Sequence, residues 1–159
     1  GGHKNIACIT GPSLRHNSLL RKLGYVDAMK TAGIDIDESW CEEGNYGRQS
    51  GYDAMASILK RHPEVTAVFS CSEEMTVGAM QYLHEHKISV PEQISLTSFD
   101  SVDLCESLYP TVSAVHFPIS DMARAAVQTL MGLVKKQEHI EKPVFEAKLK
   151  LRHADRVLK

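Results

Sequence analysis

The stretch VPEQISLTSFD, Val90–Asp100, combines a proline-closed turn, a buried strand over Ile94–Ser98 and a carboxylate, Asp100, where that strand ends. An ionised Asp at the end of a buried strand needs partners. In an open parallel sheet the carboxyl ends of the strands are also where ligands bind. The stretch therefore points to an α/β fold with a binding site along one rim.

Reading outward from it, strand and helix patterns alternate. Upstream, Thr66–Cys71 is a β-branched strand, followed by Met75, Val77, Ala79, Met80 and Leu83 at helical spacing up to Lys87. Before that comes a weak strand, Asp37–Cys41, a loop at Gly44–Gly47, and a helix with Tyr52, Met55, Ile58 and Leu59 on one face that ends before Pro63. The first unit is a strand, Ile6–Thr10, closed by Gly11-Pro12. In its helix Leu19, Leu20, Leu23, Val26 and Met29 recur at helical spacing up to Gly33, a C-cap signal. Downstream of Asp100, a short helical segment, Val102–Leu108, leads through Pro110 to a fifth strand, Val112–His116. This alternation predicts a parallel sheet covered by helices on both faces, and right-handed crossovers favour a doubly wound sheet of order 2-1-3-4-5.

The tail departs from the rhythm. Ile119–Val134 reads as a helix with Met122, Ala126, Val127, Leu130 and Val134 on its apolar face, and Pro118 before it marks a change of direction. Lys135–Lys142 is a charged connector. Val144–Leu151 alternates apolar and charged residues and predicts an edge strand.

Composition narrows the functional classes. With 159 residues, 43% of them hydrophobic, the chain is long enough for a real core. A net charge of −2 and the lack of any long Lys/Arg run exclude nucleic acid as a ligand of this segment. Cys8, Cys41, Cys71 and Cys105 form no CxxC pair, and three lie in or beside apolar strands, which suggests a reducing, cytoplasmic compartment and no zinc. No apolar run approaches a membrane span. The Gly-Gly-His start, without Met, suggests that an N-terminal part precedes this chain.

The motifs GHKNIACITGP at Gly2–Pro12, RKLGY at Arg21–Tyr25, AVFSCSEEMTVGAM at Ala67–Met80, VPEQISLTSFD, and LKLR at Leu149–Arg152 resemble the effector-binding half of the lactose/galactose repressor family of bacterial transcription regulators. The resemblance implies a two-lobed sugar-binding fold similar to periplasmic binding proteins, behind a helix-turn-helix headpiece that alone would contact operator DNA. It also implies a division of this chain. Residues 1–117 would form the C-terminal lobe, 118–142 a hinge and a helix belonging with the other lobe, and 143–159 a strand and tail returning to the first. A dimer contact around Met80–His84 and Val102–Leu108 is implied too, as is weak or absent effector binding by half a cleft. The exposed helix stripe predicts self-association, through the helix or by exchange of the Val144–Leu151 strand.

Strand-end reasoning and the resemblance select the same candidate effector contacts: Arg21, Tyr46, Ser72, Glu73, Asp100 and Phe117. A sugar calls for planar polar groups that take adjacent hydroxyls and aromatic faces that take its C–H patches. Each residue has a structural alternative. Arg21 would be a solvated charge, Asp100 a cap for the segment after it, Tyr46 a loop-packing ring, and Phe117 hinge packing. Ser72-Glu73 departs from the Asn-Asp usual in the family, losing an amide, and Glu73 at a helix start would serve equally as a cap. The eight histidines are scattered, Ser72 lacks the glycines of a nucleophile elbow, and no phosphate-binding glycine motif occurs. No enzyme, metal site or cofactor is expected. A periplasmic sugar-binding protein of the same fold remains the alternative to a regulator.

Overall fold

The computed structural model describes residues 1–99, 104–136 and 143–158. Its centre is a six-stranded sheet of order β2-β1-β3-β4-β5-β6. The strands are β1 (Ile6–Thr10), β2 (Cys41–Glu43), β3 (Ala67–Ser70), β4 (Ser95–Phe99), β5 (Ser113–His116) and β6 (Lys148–Lys150). The first five run parallel and β6 pairs antiparallel with β5. The expected order is observed, extended by the C-terminal edge strand. Ala7, Cys8 and Ile9 are wholly buried, as a central strand of a parallel sheet requires.

Helices α1 (His16–Thr31), α2 (Arg48–Arg61), α3 (Glu73–Glu85), α4 (Leu104–Ser107) and α5 (Ile119–Val134) complete the fold. One sheet face presents Val68, Leu96 and Ala114 to α2 and α3. There Met55, Ile58, Met75 and Leu83 are also fully buried. Burying an aliphatic side chain of this size contributes roughly 2 kcal/mol, so this layer supplies most of the core. It is also tied polarly, since the hydroxyls of Thr76 on α3 and Ser98 on β4 lie 2.8 Å apart.

The other face is covered unevenly. Tyr25 of α1 donates to the Ile6 carbonyl at 2.7 Å and holds α1 over β1. Beyond it, Phe69, Thr97, Phe99 and Val115 line an open apolar groove of about 510 Å³, with Leu20 and Arg21 along its wall. The expectation of helices closing both faces therefore holds in full on one side only. The helical repeat of α1 is only partly its buried face, since Met29 is buried and Val26 packs against the core. Ser18, Tyr25 and Met29 are buried, whereas Leu19, Leu20 and Leu23 are exposed, because Tyr25 anchors α1 over β1 and leaves the leucine stripe on its open side.

Boundaries of β3, β4 and β5 move by one residue, and three other expected segments change further. The weak second strand gives a 3-10 turn at Glu38–Trp40 and a strand at Cys41–Glu43, because Asp37 caps the turn by accepting from the Ser39 N–H. The last strand is confined to Lys148–Lys150, all exposed, where β5 offers an edge. The segment after Asp100 is helical at Leu104–Ser107, its first two expected residues lying outside the described ones. The tail then returns across the sheet. Arg152 donates to the Val112 carbonyl and to Glu106, and Leu96 donates to the Ala154 carbonyl.

Candidate functional site

The carboxyl ends of β1, β2, β3 and β4 meet at one rim. After β2, the Asn45 carboxamide oxygen accepts from the Gly47 N–H at 2.9 Å, a tight turn in which Tyr46 takes a left-handed backbone with φ 69°. The turn lays the Tyr46 ring against Gly11 at the end of β1, where a Cβ would overlap the ring. Glycine there allows the ring's close approach and is not needed for a special dihedral. The Tyr46 hydroxyl reaches Asn17 Oδ1 at 3.4 Å.

Arg21 occupies the middle of the rim, one helical turn after Asn17. Its Nη1 donates to the Cys71 carbonyl at 2.6 Å. The guanidinium carbon sits 4.0 Å from the centre of the Phe99 ring and 5.9 Å from that of Tyr46, which fixes the plane of the fork by cation–π contact. Phe117 extends the row, its ring centre 5.5 Å from that of Phe99. A groove of about 260 Å³ is lined by Asn17, Arg21, Tyr46, Ser72, Glu73 and Glu74.

The fold thus brings Arg21, Tyr46, Ser72 and Glu73 into one groove and connects Phe117 to it through Phe99. Asp100 lies outside the described residues. Ser72 is the N-cap of α3. Its Oγ accepts from the Met75 N–H at 3.3 Å and its carbonyl accepts from the Thr76 hydroxyl at 2.7 Å, so the capping role considered for Glu73 belongs to Ser72. Glu73 and Glu74 begin the helix, where its N-terminal dipole favours negative charge. The Arg48 guanidinium, 2.5 Å from Glu74, holds that carboxyl below the usual carboxylate range. One fork of donors, two carboxylates and an amide make a rim that gives and accepts hydrogen bonds over short spans.

Sequence reasoning missed Asn17, Glu74 and Phe99. Phe99 falls one residue beyond the expected strand, Ile94–Ser98, and immediately before the chosen Asp100; the structure makes it the last residue of β4. Asn17 stands four residues before Arg21 and therefore on the same helix face. Glu74 carries no comparable signal, since its aim follows from the placing of Arg48 across from α3.

Residues 1–154 match the family model of a periplasmic binding protein-like domain. The chain belongs to this family. Within it, the chain is 33% identical over 130 residues to the ribose operon repressor of Escherichia coli K12, a match covering 82% of this chain and 39% of that protein. It is 35% identical over 138 residues to the HTH-type transcriptional repressor PurR of Klebsiella pneumoniae, covering 86% and 40%. The solved structure of the E. coli transcriptional repressor AscG superposes with a TM-score of 0.87 at 29% identity, over 96% of this chain and 56% of that one. The chain spans about two fifths of the length of the curated relatives it matches. The periplasmic binding protein-like fold expected from the motifs is thereby shown, and the relatives are repressors of the lactose/galactose type. Among the described residues no helix is long and apolar enough to cross a membrane.

Proposed function

We propose that this periplasmic binding protein-like chain is one lobe of the effector-sensing domain of a cytoplasmic bacterial transcription repressor. The rim takes a small sugar or sugar derivative against a facing lobe, and closure of the two alters how a dimer presents its headpieces to operator DNA. In this reading residues 1–117 and 143–159 belong to the lobe, and residues 118–142 reach across the hinge. The repressor relatives favour a regulator over a periplasmic carrier. The observation that carries the reading is Arg21, held by Cys71 and Phe99 with its fork at the groove that Asn17, Tyr46 and Glu73 line. Such a fork takes vicinal hydroxyls in pairs, and adjacent rings cover the C–H faces. A second reading, a planar heterocycle, is favoured by the row of Tyr46, Phe99 and Phe117 rings and by the likeness to PurR.

Saturation-transfer NMR reads weak binding and suits a single rim. The chain is screened against monosaccharides, disaccharides, their phosphates and purine bases. Transfer to one sugar, lost in Arg21→Ala while the fold persists, supports the proposal. Transfer to purines alone supports the second reading, and transfer that survives Arg21→Ala removes the rim as the site.

A further inference from the structure

Beneath the rim, cysteines from β1, β2 and the end of β3 converge. Cys8 on β1 is in direct register with Cys41 on β2, and Cys8 Sγ lies 3.9 Å from the Sγ of Cys71 just beyond β3. All three are free thiols. They differ in access. Cys8 and Cys71 are wholly buried, whereas Cys41 is half-buried and lines a surface groove of about 420 Å³ together with Lys22, Val26 and Glu38. Among the described residues no group of three or more His, Cys, Asp and Glu side chains is arranged to hold a metal ion, so the trio is left with the chemistry of thiols.

We infer that Cys41 is a peroxide-reactive cysteine and that Cys8 resolves it into a disulfide joining β1 to β2. Neighbouring strands lie about 4.8 Å apart, within the Cα separation that a disulfide tolerates. The two thiols are also unequal in the required sense. The hydrogen bond from Cys8, aided by the Lys22 ammonium, lowers the Cys41 thiol below its ordinary value. The same contact, with Cys71 and burial, pushes Cys8 well above. Access assigns the roles: Cys41, half-buried at the groove, is the thiol a peroxide reaches, and the buried Cys8 beside it in register is its partner.

The chemistry balances with a hydroperoxide as oxidant. The Cys41 thiolate attacks one peroxide oxygen, the S–O bond forms as O–O breaks, and hydroxide leaves. Cys8 then gives its proton to that hydroxide, and its sulfur attacks the Cys41 sulfenic acid. The S–S bond forms, S–O breaks, and the departing oxygen leaves as water with a proton from solvent. Two thiols lose two electrons and the peroxide is reduced to water or an alcohol. In a reducing compartment such bridges are transient and serve as sensors, and thiol exchange would restore the trio.

The test treats the native chain with stoichiometric hydrogen peroxide, then maps disulfide-linked peptides by mass spectrometry and counts free thiols. The expected result is a fall from four titratable thiols to two per chain, with Cys8 linked to Cys41. In Cys8→Ala, dimedone should trap a sulfenic acid at Cys41, and in Cys41→Ser the peroxide-dependent loss should disappear. Should Cys8→Ala fold poorly, the wild-type rate decides. Oxidation of native Cys41 no faster than in the urea-unfolded chain, or a bridge formed only between chains, would overturn the inference.

Discussion

The Ser72 hydroxyl holds the first turn of α3, and its removal by Ser72→Ala leaves the Met75 N–H without that acceptor in a buried setting. Losing such a cap costs about 1 kcal/mol, and for a chain of this size lowers the melting temperature by about 2–4 °C. Thermal denaturation should show that loss. A second expectation concerns His3, which joins the first strand to the tail. Its Nδ1 lies 2.9 Å from the Thr66 hydroxyl, and its Nε2 lies 3.1 Å from the Arg156 carbonyl. Burial lowers its pKa below the ordinary 6.5, with the N-terminal ammonium and Arg156 acting in the same direction against the hydrogen bond to the Arg156 carbonyl. Below pH 6.5 the unfolded chain therefore binds this proton first. The contribution is fully present above that value and is lost as pH falls from there through the folded-state value. Carboxyls held low by arginines, such as Glu74 and Glu106, lose their contribution only below about 4.5, a separate window. Denaturant midpoints from pH 7.5 down to 5.5 should fall in the wild type and flatten in His3→Gln; an unchanged slope would remove His3 as its source. At this scale the sequence revealed residue type and strand end, which was enough to place Arg21 and Tyr46 on one rim. It did not reveal that Ser72 faces the helix, because both caps and contacts favour small polar residues at a strand-to-helix turn.

Between elements, α2 and α3 approach closely at two glycines. A Cβ on Gly51 would overlap the backbone of Met75, and one on Gly78 would overlap the Arg48 carbonyl. The helices are packed with these glycines facing each other's main chain, leaving no flexible side chain to yield. Gly78→Ala is expected to destabilise by about 3 kcal/mol or more, since the two backbones must separate and loosen the Met55, Ile58 and Leu83 layer. Urea denaturation would measure it, and a cost below about 1 kcal/mol would show that the helices slide apart freely. Elements with a repeating apolar signal were legible in the sequence, and α5 was read at its observed limits, Ile119–Val134. The core face of α1 was not legible. Its leucines keep helical spacing, but which stripe meets the sheet depends on where the helix lies across it, and that is fixed by Tyr25 and the Ile6 carbonyl. The second strand slipped because the Asp37 cap competes locally with extended structure.

At the scale of the whole molecule, two apolar surfaces are exposed among the described residues. Helix α5 exposes Met122, Val127, Leu130, Met131, Leu133 and Val134, and Gly132 is its one buried residue. On the sheet, Phe69, Phe99 and Val115 line the open groove beside α1, with Leu20 at 54% exposure on its edge. A stripe of this width ordinarily finds a partner surface. The groove of a second copy is an apolar match, and because each copy carries both surfaces, reciprocal docking about a two-fold axis would close a dimer. Exchange of the last strand is the weaker route, since β6 already pairs with its own β5 over Lys148–Lys150. Sedimentation velocity across a range of concentrations should therefore show a dimer in reversible exchange with monomer. Leu130→Glu, which places a carboxylate in the centre of the stripe without touching the sheet, should shift it to monomer. Phe99→Ala should weaken the dimer from the other side of the same contact, so that a mixture of the two variants associates no better than Leu130→Glu paired with wild type. A wild-type monomer at high concentration, or a dimer indifferent to Leu130→Glu, would show that α5 and the groove do not meet in this way.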